Sequence, residues 1–317
     1  MLTIFLAVIA TANLGQSYSI GKLEPMVGYR SFTPLHLNNR GTIVGVNSGS
    51  SPDRISLWRD GLHEPLPDLA GDQIVKGLNN KDAVALNVWS SAGGEALLYA
   101  DGRYLPPLLS TSRASPNIVD LNDSGQVLVI ANNTCSVWDG HRYHPIDATD
   151  LTYPIAINNS GLVCGVTRLF DPAKQLGFTW QNGEEIKPMG EGQGIGSGLS
   201  VLRLNDVGQI LVEYNEKSYL WQKGQYQLVA SAPHQAWAMN NRGQIIGHTN
   251  SADPFIIIEG QITPLARLLT NGENWVLQSV AAINDNGWII GTGSWNGQRH
   301  GFLLKPVRLN VLLTESP

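Results

Sequence analysis

Ile157-Asn158-Asn159-Ser160-Gly161 reads as an apolar residue, Asn, Asn or Asp, any residue, then Gly. The same anchor recurs as Leu37-Asn38-Asn39-Arg40-Gly41, Leu121-Asn122-Asp123-Ser124-Gly125 and Leu204-Asn205-Asp206-Val207-Gly208. It returns as Met239-Asn240-Asn241-Arg242-Gly243 and Ile283-Asn284-Asp285-Asn286-Gly287. A seventh copy, Leu78-Asn79-Asn80-Lys81-Asp82, ends in Asp. Successive first Asn residues lie 35 to 47 residues apart, with a mean of 41. A fixed period of this size marks a repeat architecture.

Each anchor has the chemistry of a hairpin turn. Asn and Asp bond their own main chain and tolerate left-handed backbone, and Gly supplies the positive φ of the loop end. Asp82 can enter the same region at some cost. Calcium loops need several carboxylates in one short segment, which these turns do not offer. After each turn comes an apolar run, such as Ile43-Val44-Gly45-Val46 or Ile289-Ile290-Gly291, which suits a strand buried on both faces. A further strand ends in an aromatic and a second turn, as in Leu57-Trp58-Arg59-Asp60-Gly61. The last strand carries a proline, at Pro65, Pro106, Pro145, Pro188 and Pro264. Proline cannot donate to a ladder, so this strand is an outer edge.

Four antiparallel strands repeated radially make a propeller blade. The expected fold is all-β: a single seven-bladed β-propeller of four-stranded antiparallel blades. The last copy lacks a clear outer strand, and residues 18–26 resemble an orphan one. The ring is therefore expected to close through an N-terminal strand, with residues 307–313 as a competitor for that edge. The expected division is a signal peptide over 1–12, the propeller over 13–306 and a C-terminal tail over 307–317. Leu2 to Ala10 is apolar but too short for a spanning helix, and Ala10-Thr11-Ala12 has the form of a signal-peptidase site.

The set of anchors, followed by I-I-G and by an F-x-W-x-x-G type turn, resembles the bacterial extracellular repeat family named for its His-Ala-Phe (HAF) motif. The last copy is nearest, with Ala282 to Gly293 followed by His300-Gly301-Phe302-Leu303-Leu304. There Gly301 stands where the naming triplet has Ala. The resemblance covers residues 18–306. It implies secretion and a propeller-like shape, and it transfers no catalytic residue.

The chain has 317 residues, a formal net charge of −5 and 42% hydrophobic residues. It has the core of a folded protein and lacks the basic stripe of a nucleic-acid binder. Two cysteines make neither a disulfide framework nor a cysteine zinc site. Cys135 and Cys164 leave one inter-blade pairing open, because their separation is not given by sequence. No Ser-His-Asp signature, histidine metal motif or phosphate loop appears.

Function is expected on the face carrying the variable loops. Immediately before the apolar residue of the anchor, four units have Gly or Ala: Gly77, Ala156, Ala238 and Ala282. The other three have His36, Asp120 and Arg203, on innermost strands near the channel. These three are ligand-binding candidates, with ordinary wall packing as the competing reading. Arg168 and Asp171 are candidates in the loop over 168–176. Trp89 and Trp295 are candidate aromatic platforms at the surface, whereas Trp237 and Trp275 are expected to be packed. No cofactor or metal is expected.

The resulting expectation is a secreted or periplasmic, monomeric, non-catalytic binding scaffold for an extracellular protein or glycan, with no nucleic acid and no membrane span. The alternative is a carbohydrate-active hydrolase or lyase. It needs a pair of carboxylates at the channel mouth, and the acidic residues are scattered over separate units.

Overall fold

Two neighbouring apolar residues on the second strand of every unit point to opposite faces, and both are buried. The pairs are Ile43–Val44, Val84–Ala85, Val127–Leu128, Val163–Cys164, Ile210–Leu211, Ile245–Ile246 and Ile289–Ile290. Ile43 packs against the preceding blade in a cluster with Leu303 and Ile290, while Val44 packs forward against Leu86 and Tyr99. The same division holds around the ring and yields seven apolar clusters, one between each pair of adjacent blades. Each such side chain contributes about 1.5–3 kcal/mol when removed from water. The sheets therefore have no solvent face in their second strands, which explains the unbroken apolar runs.

The computed structural model describes residues 16–50, 52–91, 93–105, 116–147, 151–171, 173–181, 183–190 and 195–307. It is a seven-bladed all-β propeller of four-stranded antiparallel sheets. Blades one to six cover 31–65, 72–104, 117–147, 152–188, 200–231 and 234–264. Blade seven covers 275–307 and takes its outer strand, Ser17–Leu23, from the N-terminus. That strand pairs with Gln298–Val307, from Ser17 opposite Val307 to Leu23 opposite Gly301. Its outer edge is met by the segment after blade six: the amide of Asn271 bonds both the Ile20 N–H (2.8 Å) and the Ile20 carbonyl (3.0 Å). In four other blades the expected prolines do sit on the outer strand, at Pro65, Pro145, Pro188 and Pro264. The expected leader, Pro106 and the tail after Val307 lie outside the described residues.

Glycine follows the apolar pair in four blades because two backbones approach closely there. A Cβ on Gly165 would stand 2.2 Å from the Tyr153 carbonyl oxygen, and its cross-strand partner Phe178 covers the same spot.

All seven innermost strands carry a β-bulge at one matching place, two to three residues before the anchor. In the first blade, Leu35 is the extra residue between Pro34 and His36. A bulge re-aims side chains, and here that happens beside the central axis.

The anchors build two closed hydrogen-bond rings. The first Asn of every anchor is only 4% exposed. Its side-chain amide donates to the carbonyl of the equivalent Asn one blade on, from Asn38 to Asn79 and round to Asn284, which donates to Asn38, at 2.8–3.2 Å. Its Oδ1 meanwhile accepts N–H groups of its own turn. The second anchor residue forms the other ring, in the order Asn39, Asn80, Asp123, Asn159, Asp206, Asn241, Asp285. Each backbone N–H donates to Oδ1 of the next at 2.6–2.8 Å, and Asp285 closes on Asn39. The amides of the Asn members also donate to Oδ2 of the neighbouring Asp residues.

Asp82, the departure from Gly, adopts φ 63°. Its carboxylate accepts from Asn38 Nδ2 and pairs with Arg40 and Arg59 of the preceding blade. Cys135 and Cys164 are both buried, and the Cys135 thiol donates to the Thr152 carbonyl at 3.2 Å.

Candidate functional site

His36, Asp120 and Arg203, from blades one, three and five, line one axial cavity of about 460 Å³. Lys76 of blade two joins them there. Lys76 is the bulge residue before Gly77. It is absent from the sequence candidates because they follow a single column of the repeat, whereas the bulge brings two successive columns to the axis. The small residues Ala156, Ala238 and Ala282 occupy the matching wall positions of blades four, six and seven and leave the space open.

Asp120 is held by backbone. Its Oδ1 accepts the Leu121 N–H and its Oδ2 the Ile157 N–H of the next blade, both at 2.9 Å. Burial raises its pKa from 3.8 to about 6, against the opposing pull of those two N–H groups, Arg203 and Lys76. Burial also drives His36 down from 6.5 to about 4, helped by the positive charges of Arg203 and Lys76 and opposed by a hydrogen bond to the Val75 backbone. His36 is therefore neutral at pH 7. Burial depresses Arg203 too, and Asp120 counters it. The guanidinium remains charged in any protein setting.

Arg203 is ringed by protein yet open to water within the channel. Its Nη1 donates to the Leu202 carbonyl at 2.7 Å. Its guanidinium lies over the Trp237 ring of the neighbouring blade. Trp237 corrects one expectation: it is on an inner strand as foreseen, but it is 47% exposed, more than Trp89 at 39%. It is the bulge residue of its strand, so it is turned out of the inter-blade core. Ile74 and Tyr153 stand at matching positions nearer the variable-loop ends of their strands and are likewise exposed.

The remaining candidates are not gathered with this cluster. The Trp89 ring folds over its cross-strand partner Gly94. Trp295 is half-buried between His300 and the Lys22 ammonium, which sits 4.8 Å from its ring centroid. Arg168 is exposed at the loop of blade four. Asp171 serves its own loop, accepting the Ala173 N–H at 3.0 Å with Lys174 nearby. Among the described residues, Asp120 is the one carboxylate lining the axial cavity. No group of three or more His, Cys, Asp or Glu suited to a metal occurs among them, and no described helix is long and apolar enough to cross a membrane.

Solved structures share the fold. A streptogramin B lyase superposes with a TM-score of 0.61 at 10% identity, covering 92% of this chain and 98% of the other. The β-propeller domain of the Trilobed protease from Pyrococcus furiosus gives 0.59 at 11%, covering 89% and 99%. YCF48 bound to a D1 peptide gives 0.56 at 13%, covering 95% and 97%. No protein-family model matches the chain, and no curated protein matches it. At such identities the likeness is one of fold.

Proposed function

We propose that the protein is a binding scaffold that takes its ligand in the central channel. One observation carries this reading: three charged side chains and a neutral histidine, drawn from four blades, meet in a water-accessible axial cavity beside the exposed ring of Trp237. A concave site with a few convergent polar groups is the usual form of a ligand pocket. Glycoside hydrolysis employs two carboxylates available to the substrate; the channel carboxylates Asp120, Asp123, Asp206 and Asp285 each have both oxygens engaged by backbone N–H groups or Asn amides, which supports binding instead. YCF48, with its bound D1 peptide, is an instance of this fold in a complex. The leader pattern over residues 2–12 supports a secreted protein acting on an extracellular protein or glycan. The test is a thermal-shift screen of the chain against soluble polysaccharides, repeated with Trp237→Ala. A stabilisation lost in the variant supports the channel as the site. One that survives it moves the site elsewhere.

A further inference from the structure

Within the axial cavity the charges do not cancel, while the adjoining pocket at the anchors, which shares Asp120 and Arg203, is lined by Asp123, Asp206 and Asp285. Asp120 has both oxygens committed to backbone N–H groups. No ion pair at contact distance joins it to Lys76 or Arg203 among the described residues. Arg203 uses one of its five N–H donors on a protein carbonyl. Its guanidinium lies over the Trp237 ring, and its other N–H donors have no protein partner among the described residues. Lys76 has no hydrogen-bond or carboxylate partner among the described residues. Two cations thus share this cavity with one carboxylate, each of whose oxygens already accepts a backbone N–H, beside a histidine that carries no charge.

Resting on the channel as the binding site, we infer that the ligand carries an oxyanion, a carboxylate or a phosphate, which Lys76 and Arg203 hold together. The planar fork of Arg203 matches either group in two-point fashion, and Lys76 adds a point charge. The cavity, at about 460 Å³, accommodates an acidic sugar or a similar small acid.

A pH signature accompanies the site. Asp120 shares its cavity with His36, Lys76 and Arg203 and the adjoining pocket with Asp123, Asp206 and Asp285, and it lies near the Cys164 thiol, which burial keeps neutral. Near pH 7 Asp120 is anionic and repels an incoming anion. Acidification through about 6 removes that charge before His36 becomes positive near 4. Anion affinity therefore rises as pH falls over this window.

The experiment is calorimetric titration of the full chain with glucuronate, inorganic phosphate and glucose, at matched sodium chloride. Glucuronate or phosphate is expected to bind and glucose not. Binding of glucuronate alone identifies a carboxylate ligand, and binding of phosphate alone a phosphate. Lys76→Met and Arg203→Met should each weaken the anion by roughly tenfold, the equivalent of one charge-assisted hydrogen bond. Arg267→Gln, at an exposed position, should not. Glucuronate should bind several-fold tighter at about pH 5 than at about pH 7.5, since its own carboxylate stays ionised throughout. Absence of binding by both anions overturns the inference, as does binding that is unchanged in both methionine variants. A neutral polysaccharide whose binding needs Trp237 but neither cation would overturn it while leaving the channel as the site.

Discussion

The guanidinium of Arg203 lies 5.5 Å from the centroid of the Trp237 ring, across the boundary between blades five and six. The pair ties two inner strands together at the wall of the axial cavity without burying the indole. A cation–π contact at a wet site contributes about 0.5–1 kcal/mol. Trp237→Ala should therefore lower the unfolding free energy by about 1 kcal/mol, measured by urea denaturation. A loss of about 3 kcal/mol would instead be the mark of a core residue.

His36 and Asp120 should impose opposite pH dependences on stability. Asp120 has its pKa raised from 3.8 to about 6, so its contribution is fully present below the lower value and is lost as pH rises through the higher. His36 has its pKa lowered from 6.5 to about 4, so its contribution is present above the higher value and is lost as pH falls through the lower. Each shift corresponds to about 3 kcal/mol, and over their shared window the two nearly cancel. His36→Gln should unmask Asp120, so that the variant gains stability between about pH 6.5 and pH 4 relative to the native chain. Melting curves across that range decide it, and parallel pH profiles would refute the coupling.

Asn158 should be among the least replaceable side chains. Its amide donates to Asn205 of the next blade at 3.0 Å while Oδ1 accepts the Ser160 and Leu162 N–H groups. Asn158→Ala leaves buried backbone groups without partners, at about 1–3 kcal/mol each. A drop of about 3 kcal/mol or more in chemical denaturation is expected. Asn158→Asp keeps the acceptor and loses the inter-blade donor, so a smaller drop should separate the two roles.

Removal of residues up to Leu23 should open the ring. Tyr18 and Leu23 are almost wholly buried in the clusters on either side of blade seven. Without them the Gln298–Val307 strand becomes an unpaired edge. A lowered, broadened melt and a tendency to associate are expected by light scattering. An unchanged melt would show that another segment closes the blade.

The architecture was legible in the sequence because hairpin turns demand particular residues. Positive φ at Gly41 and Gly161 needs glycine, and paired apolar residues such as Ile43 and Val44 mark strands walled on both sides. The anchors' second task was not legible. Asn38 and Asn79 are 41 residues apart, and only the closed circle brings them to 2.9 Å. The site was half legible. His36, Asp120 and Arg203 stood out by breaking a column of Gly and Ala. Lys76 and Trp237 stand one column earlier, at bulges; Lys76 lines the axial cavity and Trp237 lies against Arg203, and a bulge has no compositional mark here. Trp89 and Trp295 drew notice as loop aromatics. Trp89 is exposed, with its ring over Gly94, and Trp295 is half-buried between Lys22 and His300.

The outer anchor ring has a parity problem. Acids and amides satisfy one another best when they alternate, and from Asn80 round to Asp285 and on to Asn39 they do. A circle of two alternating kinds closes only on an even count, and this one has seven members. One like-with-like junction is therefore forced somewhere. The chain puts it at Asn39 and Asn80, where two amides meet, and nowhere sets two carboxylates side by side. An idle amide hydrogen costs less than a confrontation of like charges. The arithmetic of an odd circle thus forces one like pair, and here that pair is made of amides on the first two blades.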